Sequence, residues 1–156
     1  MPANLNQSQL DAAMLFRLGV RIDRAAASLP QTTAAALFTI SGGRVLATLI
    51  LGQVTTIIQT QANATKLTSV PTTGSSVDIC ATKDITALEV GGLLVVNGTF
   101  ATALTQANAG AIIAQTVPVI LAAGSLKLDC AASNTGAIKW SLFYLPIDDG
   151  ATVVAA

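Results

Sequence analysis

Two stretches near the C-terminus constrain this chain most. Leu126, Leu128 and Cys130 alternate with Lys127 and Asp129. After the turn residues Asn134-Thr135-Gly136, Ile138, Trp140, Leu142 and Tyr144 line one face of a second run, with Lys139, Ser141, Phe143 and Leu145 on the other. A period of two is the signature of a β-strand. The second run is apolar on both faces toward its end. Such a strand is buried twice, once by its own core and once by a neighbour.

Earlier parts of the chain repeat the pattern in shorter pieces. Ala36 to Ile40 and Arg44 to Leu51 flank Ser41-Gly42-Gly43 and read as a hairpin around a Gly-Gly turn. Gly52 interrupts the second of these runs, which marks a bulge or a close backbone approach. Lys66 to Val70 ends at Pro71, Val77 to Cys80 follows a Thr/Ser/Gly loop, and Leu93 to Val96 leads to Asn97-Gly98, a type I′ turn signal. Ala111 to Leu121 is apolar, with Pro118 marking an edge position or a break. Many short strands separated by turn signals give a mainly β fold, a β-sandwich or jelly roll.

One segment departs from this pattern. Ser8 to Ala27 begins with a weakened capping box, Ser8 and Asp11, and carries Leu10, Met14, Leu18 and Ile22 at four-residue steps. Arg17, Arg21 and Arg24 recur on an adjacent face, and Pro30 closes the segment. The expectation is an N-terminal helix. The chain then divides into a helical arm, residues 1–29, and a β-sandwich domain, residues 30–156. In the arm, Leu10, Met14, Leu18 and Ile22 are the expected anchors on a partner, and Arg17, Arg21 and Arg24 the rim. The alternative is that the helix packs on the chain's own sandwich or caps an oligomer. Either way its order comes from packing, because an isolated helix of this length is marginal in water.

Composition narrows the function classes. Of 156 residues 52% are hydrophobic and only 10% charged, against roughly 25% in ordinary soluble domains. So few charges leave a lone monomer poorly covered, and the expectation is a surface shared with further copies or a larger assembly. Lys+Arg 8 balances Asp+Glu 8, so no basic excess recruits nucleic acid. Val45 to Thr65 and Val90 to Leu126 lack charge, yet their Gln, Asn and Pro content argues against a membrane span. The N-terminal MPANLNQSQLDAAM has no basic region and does not read as a signal peptide.

The residues also argue against chemistry. There is no histidine, so Cys80 or Cys130 as a nucleophile would need an unusual base. Both cysteines are expected to pack as small buried hydrophobes rather than to form a disulfide. Asp148-Asp149 precede Gly150 and read as a turn, while Asp78 and Glu89 stand alone. Ser41-Gly42-Gly43-Arg44 lacks the lysine of a phosphate loop. The expectation is a non-enzyme without catalytic residues, cofactor or metal.

Two segments carry a resemblance. Ala36-Leu37-Phe38-Thr39-Ile40-Ser41-Gly42-Gly43-Arg44-Val45-Leu46 with Gly52-Gln53-Val54-Thr55-Thr56 is one. The other runs from Ala122-Ala123-Gly124-Ser125 through Cys130-Ala131-Ala132-Ser133-Asn134-Thr135-Gly136 to Lys139-Trp140-Ser141-Leu142-Phe143-Tyr144-Leu145-Pro146. Together they resemble small virion proteins of tailed bacteriophages, from about Leu37 to the C-terminus. The resemblance implies a β-rich head component of the cement or decoration type, a homotrimer bound to the major capsid protein or another virion protein. Its location would be the virion, assembled in the reducing cytoplasm of a bacterial host, where both cysteines stay thiols. A tail, neck or head-fibre component is the alternative within the structural class. A carbohydrate-binding module is the alternative outside it.

Overall fold

The computed structural model describes residues 18–156, which form twelve strands in two six-stranded sheets. In chain order the strands are β1 (Val20–Ser28), β2 (Ala34–Ser41), β3 (Val45–Thr56), β4 (Ala64–Pro71), β5 (Val77–Asp78), β6 (Lys83–Asp84), β7 (Leu93–Val95), β8 (Thr105–Ala107), β9 (Val119–Leu121), β10 (Gly124–Cys130), β11 (Ala137–Pro146) and β12 (Thr152–Ala155). The first sheet runs β1-β11-β3-β7-β8, with β9 also on β3. The second runs β12-β2-β10-β4-β5, with β6 also on β4. All of these pairings are antiparallel.

Both sheets contribute to one hydrophobic core, as in a β-sandwich. The two C-terminal strands follow the alternation read from sequence. Leu126, Leu128 and Cys130 of β10 point inward, as do Ile138, Trp140, Leu142 and Tyr144 of β11. Tyr144 also ties the sheets together, since its Oη accepts the Val153 amide of β12 at 3.3 Å.

Two strands keep their apolar faces inward by means of a bulge. In β3, Val45 and Ala47 are buried, and so are Ile50, Gly52 and Val54, a change of parity within one strand. The extra residue is Thr48, where the register against β11 shifts between Phe143 and Tyr144. In β2 the corresponding shift lies at Leu37, so that Leu37 and Phe38 are both buried. Gly52 is the close approach expected of it. Trp140 is its cross-strand partner, and a Cβ at position 52 would lie 3.0 Å from ring atoms Cη2 and Cζ3.

The N-terminal helix is corrected. Among the described residues there is no helical element, and Val20 to Ala27, assigned in sequence to the helix, belong to edge strand β1 on β11. Leu10, Met14 and Arg17, with the rest of the segment before Leu18, lie outside the described residues. The physical reason is an ambiguity of spacing. Steps of four place residues on one face of a helix, but four is also a multiple of two, so Leu18 and Ile22 fit a strand equally well.

The Gly-Gly hairpin is corrected too. β2 belongs to the second sheet and β3 to the first, so Gly42 and Gly43 make a corner between sheets. Each flanking strand has an apolar face to bury, and crossing between layers sets those faces against one another across the core. Asn134-Thr135-Gly136 similarly connects β10 and β11 across the layers. Asn97-Gly98 opens a longer loop between β7 and β8 instead of a two-residue turn.

Gly52→Ala is expected to lower stability by about 1–3 kcal/mol, because the ring of Trp140 has no room to retreat in a packed core. Trp140 is the single tryptophan, so its fluorescence during urea unfolding measures the loss. An unchanged midpoint would show that the close approach is not limiting.

Candidate interaction surface

The sandwich has two outer faces of unlike chemistry. Cross-strand partners share a face, which gives the composition of each directly. On the second sheet Lys66 lies opposite Asp129, and Thr68 lies between Lys127 and Asp78. The Lys66 ammonium is 2.7 Å from Asp78 and 4.0 Å from Asp129, while the Thr68 hydroxyl donates to Asp78 at 2.8 Å. Hydrogen bonding to Lys66, then to Thr68, lowers the Asp78 pKa, and the same bond to Asp78 raises that of Lys66. Around Lys66 this face is polar and its charges are paired, while Val154 of β12, opposite Thr39, is an exposed apolar residue on it.

On the first sheet the corresponding positions are apolar. Leu46 lies between Leu145 and Ile120, Leu49 beside Phe143, and Leu51 between Ser141 and Val95. Leu46, Leu49, Leu51, Phe143 and Leu145 are half-buried, Val95 is buried, and Ile120 is 62% exposed. Charge on this face is carried by Lys139, opposite Gln53 on β3, and by the edge strand β1. Asp23 Oδ1 accepts from Arg21 Nε at 2.8 Å and from Ser141 Oγ at 2.6 Å, and these bonds, Arg21 first, lower its pKa. The Arg21 guanidinium also stands 5.9 Å from the centre of the Phe143 ring, within cation–π range.

Two loops extend the apolar surface beyond β7 and β9. The carbonyl of Asn97 accepts the amides of Thr116 and Val117 at 3.2 Å each, which packs the β7–β8 loop on the segment before β9. Phe100, Ile113 and Val117 are exposed there, Ile113 to 77%. Gln115 anchors the segment to the sheet. Its Oε1 accepts the Ile50 amide at 3.1 Å, and its Nε2 donates to the carbonyls of Ala47 at 3.2 Å and Val117 at 2.8 Å. The side-chain amide thus stands in for a peptide group in the gap on β3 between its pairings with β9 and β7.

The residues expected to bind a partner are divided by strand alternation. Leu18 is at the surface just before β1, and Arg21 points outward. Ile22 instead packs against the core, and Arg24 lies opposite Trp140 with its Nε buried and unbonded. Arg21 and Arg24 therefore belong to opposite faces, and no arginine row exists over these residues.

The thiols are enclosed in the core. Cys80 and Cys130 are free and buried. Burial pushes both thiols above their ordinary pKa, which disfavours the nucleophilic thiolate. Cys80 Sγ accepts the Leu67 amide at 3.3 Å, and Cys130 Sγ accepts the Thr65 hydroxyl at 3.7 Å. Among the described residues no group of three His, Cys, Asp or Glu side chains comes together to hold a metal, and no helix is long and apolar enough to cross a membrane.

Sequence reasoning missed the partner of Asp148. Its Oδ2 accepts the Arg44 amide at 2.6 Å and Nε at 2.9 Å, and its Oδ1 accepts the guanidinium at 2.6 Å. The one signal was scarcity: Arg44 directly follows Gly42-Gly43 and Asp148-Asp149 precede Gly150 in a chain with few charges, with nothing local to pair them. Compared with family models, with curated proteins and with solved structures, the chain matches none.

The Arg44 bonds hold the Asp148 carboxyl at about 2, against an ordinary 3.8. A lowered native pKa gives stability that is present above the unfolded value and lost as pH falls through the folded one. The melting-temperature difference between the native chain and Asp148→Asn is therefore expected to shrink as pH falls from 3.8 to about 2. Melts across that window check it, and a constant difference would assign the clamp no role in acid sensitivity.

Proposed function

We propose that this chain is a structural virion protein of a tailed bacteriophage. In this reading it is a head decoration protein of jelly-roll type that binds the major capsid protein as a homotrimer and performs no catalysis. The observation that carries the proposal is the contrast between the two outer faces. The second sheet turns paired charges to solvent, whereas the first presents Ile120, with Phe100, Ile113 and Val117 on the loops beside it. Contiguous apolar surface of this kind marks an interaction site. The wording of the sequence around Gly42-Gly43 and from Cys130 to Pro146, similar to phage head components, supplies the class of assembly.

On this reading the protein reaches its place in the virion in the host cytoplasm, and its apolar loops seat on neighbouring copies and on the shell. A cement protein works by bridging capsid subunits against the pressure of packaged DNA, which needs area and shape rather than reacting groups. Apolar contacts also set a clear expectation for salt. Charge pairs weaken under screening, and apolar burial does not.

Two measurements test the proposal. Mixed with undecorated capsids and imaged, the protein is expected to occupy a regular lattice site, and Ile113→Asp with Val117→Asp is expected to abolish that density without altering the melt. Absence of lattice binding by the native chain, or density on a tail or neck instead, would overturn the head assignment. Native mass measurement is expected to give a trimer that persists from about 50 mM to about 1 M salt. A monomer, or a trimer that salt dissociates, would refute the oligomer proposed.

A further inference from the structure

β1 is an edge strand, and among the described residues no strand pairs with its outer side. The neighbouring edge on the second sheet is β12, whose Val153 amide is taken by the Tyr144 hydroxyl. For β1 the direction of the free groups follows from its partner β11. The Phe143 carbonyl accepts the Thr48 hydroxyl at 3.2 Å and so turns toward β3, whereas the Tyr144 carbonyl turns toward Gly19, just before β1. Alternation along an antiparallel ladder then places Val20, Ile22 and Arg24 in the hydrogen-bonded pairs with β11. The amides and carbonyls of Arg21 and Asp23 are left pointing outward. The regular edge is short. Gly19, with φ +82°, turns the chain out of line before Val20, and the register shift between Arg24 and Ala27 is a bulge. What remains is a straight edge from Val20 to Arg24, centred on Ile22.

We propose that this edge pairs with the same edge of a second copy, antiparallel about a two-fold axis at Ile22. Outward-pointing groups must meet one another, which restricts the register. Centred on Arg21, arginine meets arginine, and centred on Asp23, aspartate meets aspartate; like charges directly opposite are destabilising. Centred on Ile22, each Arg21 lies opposite Asp23 of the other copy, and each such pair exchanges both backbone bonds. The charge pattern and the limits of the straight edge thus select the same centre. Both side chains are more than half exposed on the outer face and already bonded to each other within the chain, so the charges alternate in sign around the axis. Val20, 40% exposed, comes opposite Arg24, whose aliphatic stem covers it. A two-fold contact closes on itself. It is distinct from the three-fold contacts of the proposed trimer, joins one such assembly to another, and does not rest on the virion reading. So short a ladder is weak in dilute solution and forms where copies are held at high local concentration.

Sedimentation of the full chain over a rising concentration series tests the proposal. The native protein is expected to double its dilute mass and then stop. Arg21→Asp is expected to remove the doubling, because carboxylates then lie opposite one another, and adding Asp23→Arg is expected to restore it with the charges exchanged. No doubling by the native chain, doubling retained by Arg21→Asp, or no recovery in the double variant would each overturn the proposal. Growth past doubling would assign the edge to a different strand of the next copy and refute the two-fold axis. Cross-linking gives a second measurement. Residues opposite one another in a non-hydrogen-bonded pair have Cα atoms about 4.5 Å apart, within disulfide range, and the buried Cys80 and Cys130 do not compete. Air oxidation of concentrated Ile22→Cys is expected to give a covalent dimer, and Ser28→Cys, beyond the bulge, several-fold less. No cross-link from Ile22→Cys, or equal yields from the two variants, would refute the register.

Discussion

The packing of Trp140 against Gly52 is the contact around which the first sheet is built. β11 lies between β1 and β3, and its inward residues reach toward the second sheet, so it must carry core side chains while staying in register with β3. The largest side chain of the protein fits there only because the facing strand has no side chain at that point. Two residues either side, Ile138 and Leu142 continue the inward face, and Tyr144 ends it with a hydrogen bond to β12. Moving β11 outward would break that bond and lift β1 with it.

Much of the β architecture was legible in the sequence, because alternation over β10 and β11 leaves a single choice of inward face. Gly52 and the two cysteines were legible for a similar reason, being small residues in runs that otherwise read as core. Over the described part, the N-terminal assignment failed because Leu18 and Ile22 satisfy both periodicities, and the deciding residues were those beside them. Arg21 and Asp23 flank Ile22 as polar neighbours of an inward side chain, which is strand alternation. The hairpin at Gly42-Gly43 failed on different grounds. Local sequence specifies that the chain turns, but whether the next strand pairs alongside or crosses to the other layer depends on what covers each face. Arg44 and Asp148, distant in sequence, hold that corner, and no local pattern links them.

Scarce charge is placed with economy. Arg44 and Asp148 pin a corner, Lys66 joins two strands to Asp78 and Asp129, and Arg21 with Asp23 sits at a sheet edge. Exposed pairs of this kind each contribute little to stability. Their effect is on which faces are polar: the second sheet and the rims are wetted, and the middle of the first sheet is not. The same sorting leaves polar groups such as Asn63 and Asn134 in the interior, where each bonds the backbone of neighbouring loops. The asymmetry of the sandwich therefore follows from the positions of a few residues rather than from the bulk composition.

The burial of Cys80 and Cys130 has a practical side. The chain contains only these two sulfhydryls, and both are enclosed by core residues that keep them protonated. To a maleimide or a gold surface the folded protein is thus blank. A single cysteine introduced on either sheet face would become its sole handle, so that a fluorophore, a spin label or a solid support could be joined at one chosen point and the molecule presented in one orientation.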